Sequence, residues 1–98
     1  MAARGFVCYG SVSGALGRLA DLANDSERAC ALYGEAIEVE QRAGALVWAT
    51  HHRFRLGEAL LASAQIDRGL ALLAQVRREG LPTLAQLAAE LIHEYEAA

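Results

Sequence analysis

The spacing of apolar residues along the chain is that of amphipathic helices. Apolar side chains recur at intervals of three and four residues, and no segment shows the sustained two-residue alternation of a strand. The residues of these stripes are Leu16, Leu19, Ala20 and Ala23, then Ala29, Leu32, Tyr33, Ala36 and Ile37, and later Leu56, Ala59, Leu60, Leu70, Leu73 and Val76. The pattern predicts an all-α chain of five helices at 7–23, 26–43, 46–63, 66–79 and 82–97.

Two glycines divide this pattern into helix pairs. Gly44 and Gly80 each follow an arginine in the preceding turn, and glycine closes helices by taking the left-handed conformation. Within each pair, the segments 24–26 and 64–67 provide short polar residues that favour a turn and a helix cap. We therefore predict one domain, 1–98, of antiparallel helix pairs 7–43 and 46–79 and a capping helix 82–97.

The two pairs are related by an internal repeat. Leu16-Gly17 recurs as Leu56-Gly57 forty residues later, a period typical of helix-hairpin arrays. The small and large residues that follow each glycine are Ala29, Tyr33 and Ala36 in the first pair and Gly69, Leu73 and Val76 in the second. This order resembles the tetratricopeptide consensus, without its tryptophan or its closing proline. The resemblance implies degenerate repeats in a right-handed array.

Three segments narrow this resemblance. Residues 8–20, 29–36 and 44–50 look like the C-terminal helical repeats of large actinobacterial regulators, which are multidomain ATPases of the transcriptional-regulator and adenylate-cyclase-like types. This resemblance implies that the chain is the terminal piece of a longer helical array, and that it binds partners or senses an effector. The chain has no nucleotide-binding loop, DNA-binding helix pair or cyclase domain, so none of those activities is implied for it.

Composition argues against two classes of partner. All nine basic residues are arginine, the formal net charge is −3, and the arginines are scattered, so no basic face for nucleic acid is expected. No apolar stretch approaches the roughly 20 residues that span a bilayer, and glycines and serines interrupt any signal-peptide core. We expect a cytoplasmic protein in which Cys8 and Cys30 are reduced, partly buried thiols, with a disulfide as the alternative.

No set of residues suggests catalysis, a metal or a cofactor. Gly10, Gly14 and Gly17 lack the lysine and the preceding strand of a phosphate loop and favour close helix packing instead. His51 and His52 are adjacent, so they point about 100° apart on a helix and cannot chelate one ion, which indicates surface or groove histidines. The glutamates are expected on solvated helix faces. We predict that the chain is not an enzyme.

A binding groove is the main functional hypothesis. In helix-hairpin arrays the first helix of each pair lines the groove, and this register places a mixed-charge set of residues there: Arg18, Asp21, His51, Phe54 and Glu58. A plain solvated face is the alternative for these positions, and Trp48 is expected at the junction between repeats. The hypothesis is a protein-interaction or scaffolding module for a protein or peptide. The alternative is an effector-sensing module that binds a small molecule between helices.

The first helix also suggests self-association. Charge is absent between Arg4 and Arg18, and the intervening apolar residues exceed what one neighbouring helix can bury: Phe6, Val7, Tyr9 and Val12. The final helix has polar residues suited to an end. We therefore predict a homodimer through the N-terminal helix.

Overall fold

The computed structural model describes residues 12–97, with side chains from residue 13 onward, and these residues form five helices and no strand. The helices are α1 (Val12–Leu22), α2 (Ser26–Ala43), α3 (Leu46–Ala62), α4 (Ile66–Arg78) and α5 (Pro82–Ala97). The all-α prediction is confirmed, and the predicted boundaries agree within one residue except at the start of α1, where residues 7–11 lie outside the described range.

The turns explain why the helices end where they do. Gly44 and Gly80 have φ values of 75° and 83°, the left-handed conformation expected of glycine stops. Ala45 N donates to Glu40 O at 2.8 Å across the first of these turns, which satisfies a carbonyl at the end of α2. The N-cap of α2 is Asp25, whose side chain accepts from the backbone N–H of Arg28.

The turn between α3 and α4 differs from the prediction. Gln65 stands at the N-cap position of α4 without a side-chain cap hydrogen bond, and Ala64 takes a left-handed φ of 65°. The expected polar cap is therefore wrong here. The backbone nevertheless repeats the first hairpin, since Asn24, forty residues earlier, has a φ of 62°.

Paired glycine contacts confirm the forty-residue repeat. A Cβ at Gly17 would lie 2.9 Å from the Tyr33 ring, and a Cβ at Gly57 would lie 2.8 Å from the Leu73 side chain. Tyr33 and Leu73 are both fully buried and are themselves forty residues apart. Each hairpin therefore uses glycine on its first helix to admit a large side chain from its second.

The orientation of α1 corrects the predicted apolar stripe. Leu16 and Leu19 were expected to face the core, but 46% and 63% of their surface is exposed. The buried face of α1 instead carries Gly14, Gly17 and Ala20. Small residues allow α1 to approach the rings of α2 and α3 closely, and this closeness turns the leucines outward.

The helices pack mainly with their neighbours in sequence, and α3 also touches α5. One buried cluster joins α1, α2 and α3 through Ala20, Ala29, Tyr33 and Ala59. The other joins α3, α4 and α5 through Phe54, Leu61, Leu73, Val76, Ala88 and Ile92. Because α3 contributes to both clusters, it is the central element of the array.

Replacing Gly57 tests the close approach. We expect Gly57→Ala to lower the free energy of unfolding by about 1 to 2 kcal/mol, because the new methyl group overlaps the buried Leu73 by more than the gain in helix propensity offsets. Gly34→Ala is the matched control, since nothing lies within 4 Å of that position. It should stabilise the chain by about 0.5 to 1 kcal/mol. Equal effects in denaturant unfolding would contradict the packing role of Gly57.

Candidate functional site

One face of the array has two adjoining depressions. The larger, which we call the α3–α5 groove, has a volume of about 630 Å³ and runs between the two helices that give it its name. Its lining residues are His51, Phe54, Arg55, Glu58, Thr83, Leu84, Leu87, Glu90, Leu91 and Glu94. Leucines and Phe54 form an apolar floor, and three carboxylates stand against the single arginine.

The smaller depression, the α1–α3 hollow, has a volume of about 210 Å³. Its lining residues are Gly14, Ala15, Arg18, Tyr33, Trp48, His51, His52 and Arg55. His51 and Arg55 belong to both linings, so the two depressions are continuous along α3. The hollow has two arginines and no carboxylate in its lining, the opposite charge balance to that of the groove.

The structure distributes the predicted groove residues unequally. His51, Phe54 and Glu58 line the α3–α5 groove, whereas Arg18 lines the hollow together with His51. Phe54 is only 4% exposed, because it also belongs to the core between α3 and α5. Asp21 lines neither depression and lies 3.7 Å from Arg18. Phe6, Val7, Tyr9 and the side chain of Val12 lie outside the described residues.

Glu40 corrects one expectation. The glutamates were predicted on solvated faces, but Glu40 is fully buried. His52, predicted on the surface or in a groove, lines the hollow and is only 7% exposed. His52 Nδ1 lies 2.8 Å from Glu40 Oε1. We assign the proton to Nδ1, since a carboxylate oxygen accepts. The bond joins α2 to α3 and gives both buried polar groups a partner.

Aromatic rings continue this contact to the hollow. The His52 ring stacks with Trp48, at a centroid distance of 5.9 Å, and with Tyr33, at 5.8 Å. A Cβ at Gly14 would come within 2.5 Å of His52 Cε1, so only glycine permits α1 to lie against this ring. Trp48 shares the lining of the hollow with Gly14 and Tyr33 of the first helix pair.

His51 faces outward beside His52 and has a different environment. Burial lowers the pKa of His51 below its usual value of 6.5, and the neighbouring His52 and Arg55 lower it further. His51 is therefore neutral at pH 7, with one ring nitrogen able to donate and the other to accept. It offers hydrogen bonds to both depressions without adding charge.

A partly buried ion pair between Arg53 and Glu79 connects α3 to α4. Arg53 is 6% exposed, and its Nη2 and Nε lie 2.6 Å and 3.1 Å from the two carboxylate oxygens of Glu79. This two-point contact ties α3 to the end of α4, directly before the turn into α5. It therefore contributes to the spacing between α3 and α5.

Metal and thiol chemistry add little to the site. Among residues 12–97, no group of three or more histidine, cysteine, aspartate or glutamate side chains is placed to hold a metal ion. Cys30 is a free, half-buried thiol on α2, and burial raises its pKa despite its hydrogen bond to Ser63. A pairing with Cys8 falls outside the described residues.

Sequence reasoning missed the contribution of α5. Leu84, Leu87 and Leu91 recur at spacings of three and four residues, but 82–97 was predicted only as a capping helix. Glu90 and Glu94 share the same side of α5 by the same spacing. The distance between α5 and α3 determines this contribution, and the spacing of residues within one helix gives no information about it.

Comparison with known proteins gives no match to this chain among protein families, curated proteins or solved structures. The tetratricopeptide resemblance thus rests on the chain's own repeat. None of the helices within residues 12–97 combines the length and the apolar character needed to cross a membrane.

The pKa of His51 predicts a pH dependence of stability. Because that pKa is lowered in the folded chain, the unfolded chain binds a proton at His51 first as the pH falls through about 6.5. The stabilisation of the folded chain that comes from keeping His51 neutral is fully present above that pH and is lost as the pH falls below it. We expect the free energy of unfolding to fall between pH 7 and pH 5, less steeply in His51→Gln. His93→Gln, at an exposed position on α5, should keep the wild-type slope. Parallel slopes for both variants in denaturant unfolding would contradict this prediction.

Proposed function

We propose that the chain is a non-catalytic interaction module whose α3–α5 groove binds a peptide segment with apolar and basic side chains. The observation that carries the proposal is the lining of the groove, where Phe54 and three leucines of α5 lie beside Glu58, Glu90 and Glu94. Apolar anchors supply affinity and charge complementarity supplies selectivity in such grooves. The proposal includes a cytoplasmic role as part of a bacterial regulator.

Charge gives the groove its preference. Arg55 Nη1 donates to Glu58 Oε1 at 3.1 Å, so these two residues largely compensate each other. Glu90 and Glu94 are exposed on α5 and leave the groove acidic. A lysine or arginine of a bound segment would pair with them while its apolar neighbours cover Leu87, which is 41% exposed.

A small effector molecule is the second candidate. The volume of about 630 Å³ lies within the range of ligand pockets. Thr83, Leu87, Glu90 and Glu94 are nevertheless exposed, so the groove is open along α5. An open, elongated lining suits an extended segment better than an enclosed ligand.

We also propose that the outer face of α1 associates with a second copy. Leu16, Leu19 and Leu22 recur every three residues, and 46%, 63% and 64% of their surface is exposed. They extend the apolar character of Phe6, Val7, Tyr9 and Val12 along the chain. A contact between two copies through this face would be symmetric and would remove the leucines from water.

Peptide binding can be tested with model sequences. We expect a labelled peptide that alternates leucine and lysine to bind in fluorescence anisotropy, and the same peptide with glutamate for lysine to fail. The double variant Glu90→Gln/Glu94→Gln should weaken binding by about tenfold at low salt, from two lost exposed ion pairs. Glu35→Gln/Glu96→Gln makes the same charge change at exposed positions outside the groove. Equal binding of both peptides, or equal loss in both double variants, would refute the proposal.

Self-association has its own test. Light scattering of the 98-residue chain at micromolar concentration should give a dimer mass, and Leu19→Glu should give a monomer, because a buried, unpaired carboxylate opposes the contact. Val47→Glu is the control, since Val47 is 64% exposed on a different helix. A monomer mass for the wild type would contradict this proposal. A dimer that persists in Leu19→Glu but is lost in Val47→Glu would contradict it as well.

A further inference from the structure

The α1–α3 hollow brings together three hydrogen-bond donors, and its lining contains no carboxylate. Arg18 of α1 and Arg55 of α3 line it from opposite helices, and Tyr33 of α2 lines it between them. Tyr33 is fully buried, and its hydroxyl has no hydrogen-bond partner among the described residues. A buried hydroxyl without a partner is uncommon, because its desolvation is then uncompensated.

The chemistry of this hydroxyl determines what can satisfy it. Burial raises the pKa of Tyr33, so its hydroxyl keeps its proton at neutral pH. The positive charge of Arg18 acts against this rise in the pKa of Tyr33, and Arg18 lies close enough to donate to the hydroxyl oxygen. Arginine has no acceptor, so it cannot receive the hydroxyl hydrogen. Even after a small rotation of Arg18, the hydroxyl hydrogen still needs an acceptor, and neither arginine supplies one.

The surrounding carboxylates leave this need in place. Asp21 lies 3.7 Å from Arg18, and Glu58 lies 3.1 Å from Arg55. Neither of these two carboxylates lines the hollow. Each contact engages one nitrogen of a guanidinium that has five N–H donors. Asp21 also raises the pKa of Tyr33, so its negative charge reaches the hollow and would compete with a bound anion.

We propose that the α1–α3 hollow is a carboxylate-binding site, in which Arg18, Arg55 and the Tyr33 hydroxyl donate to the bound carboxylate. An oxyanion satisfies all three donors at once, whereas a water molecule brings no charge to two arginines. This site does not require the peptide proposed for the α3–α5 groove, although the two depressions share His51 and Arg55.

The size of the hollow and its continuity with the groove define the ligand class. About 210 Å³ is enough for a carboxylate and too little for a whole drug-sized molecule. His51 and Arg55 line both depressions, so the apolar body of a ligand can extend from the hollow into the groove. The carboxylate belongs either to a free small acid or to the end of a bound chain.

NMR titration of the isotope-labelled 98-residue chain tests the site. Sodium acetate replaces sodium chloride at constant ionic strength, with N-acetyl-leucine and N-acetyl-leucinamide as further probes. We expect saturable shifts of the Arg18 and Arg55 side-chain signals with both acids and none with the amide. Tighter binding of N-acetyl-leucine than of acetate would identify a ligand whose body lies in the groove, and equal binding would identify a free carboxylate. Shifts that rise linearly without saturation, or equal binding of the amide, would overturn the proposal.

Variants separate the site from general charge effects. Arg18→Gln should weaken acetate binding by about tenfold, as expected for the loss of a hydrogen bond to a charged group. Arg42→Gln makes the same change on α2 outside the hollow, where Arg42 pairs with Glu38, and should have no effect. Asp21→Asn should tighten binding about threefold by removing a competing charge. Equal effects of Arg18→Gln and Arg42→Gln would show that acetate responds to the general charge of the protein and not to a specific site in the hollow, which would overturn the proposal.

Tyr33→Phe distinguishes a ligand contact from a merely buried hydroxyl. Without acetate the variant should be as stable as the wild type or more so, because it removes an unpaired polar group. Its affinity for acetate should fall about tenfold, and the rise in melting temperature that acetate gives the wild type should be lost. The same acetate-dependent rise in wild type and Tyr33→Phe would exclude the hydroxyl from the site and overturn the assignment.

Discussion

The buried contact between His52 and Glu40 is the interaction on which the rest of the array depends. It lies where α1, α2 and α3 meet, and both of its polar groups are withdrawn from water. The backbone carbonyl of Glu40 also accepts from Ala45 in the turn between α2 and α3. One residue therefore holds both the turn and the histidine, so its replacement would disturb both contacts.

The position of His52 then determines the shape of the face that carries the two depressions. Its ring occupies space that a side chain on α1 would otherwise fill, which is why Gly14 stands opposite it. Trp48 and Tyr33 both stack with this ring and line the hollow. The close approach of α1 brings Arg18 toward α3, so a packing constraint places the charges that give the hollow its character.

Much of the fold could be predicted from the sequence because its signals are local. Gly44, Gly80 and Pro82 mark helix ends through their own backbone preferences, and the structure places them there. The forty-residue recurrence of Leu-Gly correctly indicated equivalent hairpins, including the paired burial of Tyr33 and Leu73. These features need no knowledge of distant contacts.

The site was harder to predict because it depends on contacts between helices. Periodicity on α1 cannot tell whether its leucines or its glycines face inward, since both recur at helical spacing. The burial of Glu40 depends on a histidine twelve residues away on another helix. The role of α5 in the groove depends on its distance from α3, and that distance follows from the length of α4 and the contact between Arg53 and Glu79.

The sequential packing of the helices has a consequence for dynamics. Because each helix contacts mainly its neighbours in sequence, native contacts are short in range, which favours rapid folding and makes a helix with fewer contacts easier to open locally. Amide hydrogens of α3 should then exchange with solvent most slowly, and those of α5 sooner. Since α5 forms one wall of the groove, a segment bound there would oppose local opening of α5 and would protect amides that it never touches.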